Sequence, residues 1–364
     1  MLSSLVKERF LLIGLVAAVI AYAGEHALLE AGRLAMLAAA FALVAAIILV
    51  STRIAHHAEV LAAKVGDPYG TMILTLSAVL VEVVILAIMM RGETSPTLVR
   101  DTIYAAVMLD INGILGLAAL LGGIRHGEQP YNDDSGKTYG VMILTAMGIS
   151  MVVPEFVPRE SWHLYSAFTI GAMIALYALF LRMQVGAHSY FFSYAYPRAE
   201  RKEKAAAQAA DEDEPATPAI AVIVIGVVLI GALAEVMSVL LSAGLKGTGA
   251  PPALMAVVVA AISAAPEILT ALRAALANRM QSVVNIAMGA SLSTVILTVP
   301  VMEAIALYTG QPFVMAMSPV QTVMVTITLI AAAINLNDGE TNAIEGMTHF
   351  ILFATFLMLT AIGL

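Results

Sequence analysis

Thr71-Met-Ile-Leu-Thr-Leu-Ser77-Ala-Val-Leu-Val-Glu82-Val-Val-Ile-Leu-Ala-Ile-Met-Met90 runs for 20 residues with a single charge, at Glu82. That is the length an α-helix needs to cross ~30 Å of hydrocarbon. The run shows no barrel-like alternation, so a membrane-spanning helix is the reading. A carboxylate at the bilayer centre costs at least ~2.5–3.5 kcal/mol and persists where an ion or a proton compensates it. A second such acid lies in Val257-Val-Val-Ala-Ala-Ile-Ser263-Ala-Ala-Pro266-Glu267-Ile-Leu-Thr270. Each half of the chain thus carries one intramembrane carboxylate, the arrangement a secondary transporter needs.

Working outward, the 364 residues are 60% hydrophobic and 12% charged, with mean hydropathy +0.92. Soluble domains carry roughly 25% charged residues, so the composition excludes one and implies a polytopic membrane protein. Spans are expected near 8–24, 33–53, 70–90, 101–124, 139–157, 164–183, 219–243, 252–274, 282–308, 318–336 and 343–363. The basic start, Lys7-Glu8-Arg9, is read as the flank of an uncleaved first helix. With the N-terminus cytoplasmic, 13 of the 18 Lys and Arg residues fall on the inside and 5 on the outside, which favours that orientation. The chain has no cysteine, so disulfides and thiolate metal sites are excluded.

The long hydrophilic stretch, 197–218, opens with Arg198, Arg201, Lys202 and Lys204. It closes on Asp211-Glu212-Asp213-Glu214. It reads as a solvated linker, with the acidic run as a possible gatherer of cations at the cytoplasmic mouth. The linker leaves a first helix at 1–32, five spans in 33–196 and five in 219–364. Five is odd, so two related halves would be inverted relative to each other. Ala58-Glu59-Val60 recurs as Ala234-Glu235-Val236, Glu82 is matched by Glu267, and Asn112 with Gly116 recurs as Asn285 with Gly289.

Thr75 precedes Glu82 by seven residues and Ser263 precedes Glu267 by four, which sets hydroxyl and carboxylate on one helical face. Ser77 lies just upstream of Glu82. Asn285, Gly289 and Ser293 form a stripe of their own. Hard cations such as Ca²⁺ take six to eight oxygens, and carboxylates, hydroxyls and the Asn112 and Asn285 amides form such a set. Pro266 lacks an N–H for the carbonyl of Ile262, so the helix should break there and offer that oxygen to an ion. Paired carboxylates hold protons in an apolar setting and yield them to a bound divalent cation, which is the competition antiport requires.

Plainer roles stand beside these. Ser and Thr in membrane helices often bond back to their own backbone. Gly116 and Gly289 can serve helix packing alone. Glu59 and Glu235 suit membrane interfaces, as accessory acids at most. Asp110 points away from Asn112 and reads as a helix–helix partner. The histidines form no His-Glu-x-x-His motif, and Glu345 with His349 reads as a structural pair.

Taken together, these stretches resemble the cation/Ca²⁺ exchanger superfamily, and within it the bacterial Ca²⁺/H⁺ antiporters of the ChaA type. Those that carry the resemblance are Gly66-Asp-Pro-Tyr-Gly-Thr71 through Leu74-Thr-Leu-Ser77 to Glu82, and Asn112-Gly113 through Gly116 to Gly122-Gly123. In the second half they are Ala265-Pro266-Glu267, Leu272-Arg273, Asn278-Arg279, Gln281, Asn285 to Gly289, and Leu297-Thr298-Val299-Pro300. The resemblance implies two inverted repeats whose acids, Glu82 and Glu267, bind the ion, and an acidic segment joining the halves. A Gly-Asn-x-x-Glu signature common among Ca²⁺/H⁺ exchangers is replaced before both glutamates, and relatives of this type are associated with Na⁺ and K⁺ as well.

The expectation is an all-α inner-membrane antiporter of about 11 helices, its N-terminus cytoplasmic, with Glu82 and Glu267 facing each other near the midplane. It would exchange a cytoplasmic cation, Ca²⁺ first and Na⁺ or K⁺ second, for external protons. Its partners are inorganic cations, protons and lipid, with no cofactor and no nucleic acid. An intramembrane enzyme using the carboxylates as acid and base is the other class, and it lacks a nucleophile motif or a metal triad.

Overall fold

In a computed structural model, the structure describes residues 8–65, 69–91, 95–186, 188–194, 216–310 and 313–364. Twelve helices are described: α1 Arg9–Glu30, α2 Arg33–Val65, α3 Tyr69–Arg91, α4 Leu98–His126, α5 Asp133–Phe156, α6 Trp162–Val185, α7 Ala216–Leu245, α8 Ala253–Ser263, α9 Ala265–Leu276, α10 Met280–Thr309, α11 Pro319–Asn335 and α12 Ala343–Ala361. Eight are long and apolar enough to cross a membrane, α8 and α9 together make one broken span, and α3 and α11 supply two shorter apolar stretches. That order matches the eleven expected spans. The acidic run Asp211, Glu212, Asp213, Glu214 lies outside the described residues.

The helix ends follow from local chemistry. α11 starts at a capping box, with the Ser318 hydroxyl accepting from the Gln321 N–H and the Gln321 side chain accepting from the Ser318 N–H. Asn132 and Asn342 cap α5 and α12 through their side-chain oxygens. Three spans contain π-helical turns: Met108–Leu115 in α4, Gly148–Val152 in α5 and Thr294–Thr298 in α10. Such turns widen the helix, shift the register of the residues after them and recur at functional sites.

The chain forms two compact units, Met1–Thr94 with Tyr196–Ala250, and Ser95–Ala195 with Pro251–Leu364. In the first, α2 and α7 form the main helix pair, with α1 and α3 each packed on both. Its core is aliphatic, built on Ile47, Val50, Ile54, Ile230 and Leu233. In the second, α4 packs on α8, α9, α10, α11 and α12, and a two-residue ribbon pairs Gln129–Pro130 with Glu340–Thr341. The packing units are therefore not the sequential segments 33–196 and 219–364, since each unit draws on both. A repeat is a matter of helix order, and packing is a separate division of the same chain.

Candidate cation site

The first unit presents Glu82 on α3, an unbroken helix that packs on α2 and α7. Glu82 is 3% exposed and shares the buried stripe of Ile85, Leu86 and Met89. Ser77 is buried and Thr75 half-buried. Seven residues bring Thr75 back to the face of Glu82, whereas five leave Ser77 about 140° around the helix. Glu59 on α2 and Glu235 on α7 are both exposed. Glu235 accepts a hydrogen bond of 2.7 Å from the Tyr22 hydroxyl, which fastens α1 to α7. That contact gives Glu235 a structural task.

In the second unit the helix breaks where Pro266 requires it. α8 ends at Ser263, α9 starts at Ala265, and their axes differ by 57°. The proline nitrogen occupies the place of the N–H that would have bonded the Ile262 carbonyl. Glu267, half-buried, is the third residue of α9. A carboxylate in the first turn lies in the field of the helix N-terminus, which favours negative charge there. Ser263 donates to the Ala260 carbonyl at 3.0 Å, the backward bond common to membrane serines.

The two asparagines lie in separate networks of this unit. Asn112, fully buried in the π turn of α4, donates to the Thr328 hydroxyl at 2.7 Å and meets His349 Nδ1 with its oxygen at 2.8 Å. It thereby joins α4 to α11 and α12. Asn285 on α10 accepts from Gln281 Nε2 at 2.9 Å and donates to the Phe192 carbonyl at 2.9 Å. Gln281 in turn bonds the Ser135 hydroxyl and the Asn132 N–H, so this network gathers the start of α5. Each amide oxygen has one lone pair left after these bonds. Within the second unit, the two amides thus serve separate networks, and both are engaged by protein partners.

The glycines differ as well. A Cβ on Gly116 would meet the Phe350 backbone nitrogen at 2.9 Å and the Gly346 carbonyl at 3.2 Å, so the α4–α12 crossing needs glycine. At Gly289 the nearest atom to a Cβ is the Tyr139 hydroxyl at 3.6 Å, an ordinary contact. At Gly289 the Tyr139 ring of α5 packs against the helix at ordinary contact distance, so the glycine faces a helix neighbour there. Asp110 accepts from Ser291 at 3.2 Å and ties α4 to α10.

Two buried acids escaped the sequence reading. Asp101 is held by Arg100, Thr97 and Gln321. Glu303, deep in α10, had a visible signal, since it interrupts the apolar run from Val295 to Leu307, but it has no counterpart in the first half. Among the described residues no group of three or more His, Asp or Glu side chains is gathered for a metal.

A profile of the family described as "Sodium/calcium exchanger protein" matches residues 10–186 and 218–361, most of the chain and both sides of the linker. The putative ionic transporter y4hA of Sinorhizobium fredii is 33% identical over 315 residues, covering 84% of each protein. The sodium-potassium/proton antiporter ChaA of Escherichia coli is 32% identical over 316 residues, again 84% of each. In fold, the chain superposes on the crystal structure of the Ca²⁺/H⁺ antiporter protein YfkE with a TM-score of 0.74 at 15% identity, over 97% of this chain and 99% of that one. On the profile that spans both sides of the linker and the 33% identity over 84% of each protein, the chain belongs to the sodium/calcium exchanger family of multi-span membrane transporters.

Proposed function

We propose that this protein is a secondary active cation/proton antiporter of the bacterial inner (plasma) membrane, oriented with its N-terminus in the cytoplasm. Glu82 and Glu267 take up the cation and the protons in turn, and 33–196 and 219–364 act as inverted repeats. The observation that carries the reading is Glu267 at the 57° break between α8 and α9. A carboxylate beside a proline-interrupted backbone, within a span, is a construction that serves ion binding. An ionisable group within a span is costly to keep, which favours a functional role for it. Thr75, Ser77, Ser263, the Ile262 carbonyl and the remaining lone pairs of Asn112 and Asn285 are the neutral oxygens proposed to complete the shell as the protein moves between states.

Ca²⁺ is the proposed cargo, because an acid from each half offers two charges to a divalent ion. A specific observation favours Na⁺ or K⁺ as the second reading. Both amides already hold protein partners, which weakens them as ligands for a demanding divalent shell, and a relative 32% identical is a sodium-potassium/proton antiporter.

The test uses everted membrane vesicles holding a respiration-driven, acid-inside gradient and a pH-sensitive dye. Adding Ca²⁺ should collapse the gradient. A response to Na⁺ or K⁺ alone moves the assignment to the monovalent reading, and no response to any cation in well-expressed protein contradicts antiport.

A further inference from the structure

The second unit buries three acidic side chains among its described residues, and two are matched. Asp101 receives Arg100, Thr97 and Gln321, and Asp110 receives Ser291. Glu303 is different. It is 3% exposed, Ser166 of α6 hydrogen-bonds its carboxyl, and its Oε2 is buried with no hydrogen-bond partner. No ion pair involves it among the described residues. An ionised carboxylate buried with an unmatched oxygen is expensive, so this oxygen needs a proton or a cation.

The surroundings select the proton. α6 and the π turn Thr294–Thr298 pack on the α10 segment that bears Glu303. From α6 the groups that face it are the Ser166 hydroxyl and Tyr165, the one titratable side chain there that feels its charge. The Tyr165 hydroxyl is committed to the Ile149 carbonyl at 2.7 Å. The π turn brings no titratable residue. His163 on α6 is exposed, and Tyr308 on α10 itself is 93% exposed. One carboxyl and one hydroxyl are too few oxygens for a hard cation and sufficient for a proton.

Position also fits. Glu303 lies six residues, about 9 Å, from the end of α10, and Ser166 lies four residues into α6. Both elements reach the same end of the unit, opposite the Gln281 end of α10. Pro300, three residues before Glu303, and the π turn ahead of it loosen the backbone at that level.

We propose that Glu303 is a proton-binding residue of the transporter, distinct from Glu267, which loads and releases a proton at the end of the second unit where α10 finishes and α6 begins. The proposal deepens the antiport reading and rests on it.

Two arms test it separately. Full-length Glu82→Gln/Glu267→Gln protein in detergent is treated with dicyclohexylcarbodiimide, which modifies protonated carboxyls in apolar surroundings, and modified peptides are read by mass spectrometry. Glu303 should be labelled at about pH 6 and at least about fivefold less at about pH 9, while Asp101, paired with Arg100, stays unlabelled. Absence of label on Glu303, or labelling indifferent to pH, overturns the proposal. In the second arm, Glu303→Gln and Glu303→Asp are made in otherwise unaltered protein and checked for an unchanged gel-filtration profile. Glu303→Gln should lower cation-driven proton flux at least about tenfold and flatten its pH dependence, and Glu303→Asp should restore that dependence. A Glu303→Gln protein with the unmodified pH profile overturns the assignment. If unmodified protein moves no protons with any cation, the antiport reading fails, and the labelling arm still decides whether Glu303 titrates.

Discussion

Glu82 and Glu267 each interrupt an apolar run, one in each half of the sequence, and the backbone around them differs. Glu82 belongs to an unbroken helix of 23 residues and is nearly sealed. Glu267 opens a new helix after a 57° bend and is half-buried. The difference is one residue deep: Pro266 precedes Glu267, whereas Val81 precedes Glu82. A continuous helix satisfies its own carbonyls and offers an ion only side chains. A broken one adds main-chain oxygen and the field of a helix N-terminus. On the proposed function, Glu267 would be the half-buried, backbone-assisted acid and Glu82 the enclosed one.

Removing the proline should erase the difference between the two helices. Pro266→Ala returns an N–H to the Ile262 carbonyl and straightens α8 into α9. The KM for the driving cation in vesicle assays should rise at least about tenfold, the weight of one well-placed ligand (about 1.4 kcal/mol). An unchanged KM would mean that the break serves packing and that the two acids work alike.

The asparagines sharpen it next. Asn112→Ala leaves the Thr328 hydroxyl and His349 Nδ1 without their partner in a fully buried site. Thermal unfolding in detergent should show a loss of about 2–3 kcal/mol. Asn285→Ala, at a half-buried position, should cost about 1 kcal/mol. If Asn112→Ala keeps its stability and loses transport, Asn112 is a ligand before it is a strut.

The smallest effect is at the start of α1. Arg53 of α2 donates to Glu8 at 2.8 Å, and His57 lies 3.1 Å away, which together fasten α1 to α2. The hydrogen bond from Arg53 holds the Glu8 carboxyl below the ordinary carboxylate range. A lowered folded-state value means that the contribution is complete above the unfolded-state value and is lost as pH falls through the folded one. Glu8→Gln should thus lower the melting temperature at neutral pH, by the equivalent of no more than about 1 kcal/mol. The difference between the two proteins should vanish in acid. A difference that persists at low pH would assign the effect to packing.

Much of this architecture was legible in the residues. Each expected span has its helix, because twenty apolar residues can satisfy their backbone in lipid in no other way. Helix ends were less so. α2 was expected to stop at 53 and runs to Val65, since His56, His57, Glu59 and Lys64 end the apolar run without ending the helix. The break at Pro266 was legible, as proline acts locally. The partners of Asn112 were not, because Thr328 and His349 lie more than 200 residues away in sequence. The π turns left no mark, as their dihedral angles stay close to those of an α-helix. A repeat does not point to Glu303, which has no counterpart in the first half.

If one set of carboxylates holds either the cation or protons, binding of the cation must expel protons. Isothermal titration of Ca²⁺ into purified protein, in buffers of different ionisation enthalpy, counts the protons released as the cation binds. Proton release is expected in the unmodified protein, reduced in both Glu82→Gln and Glu267→Gln. Cation binding that releases no protons, or release untouched by either substitution, would contradict it.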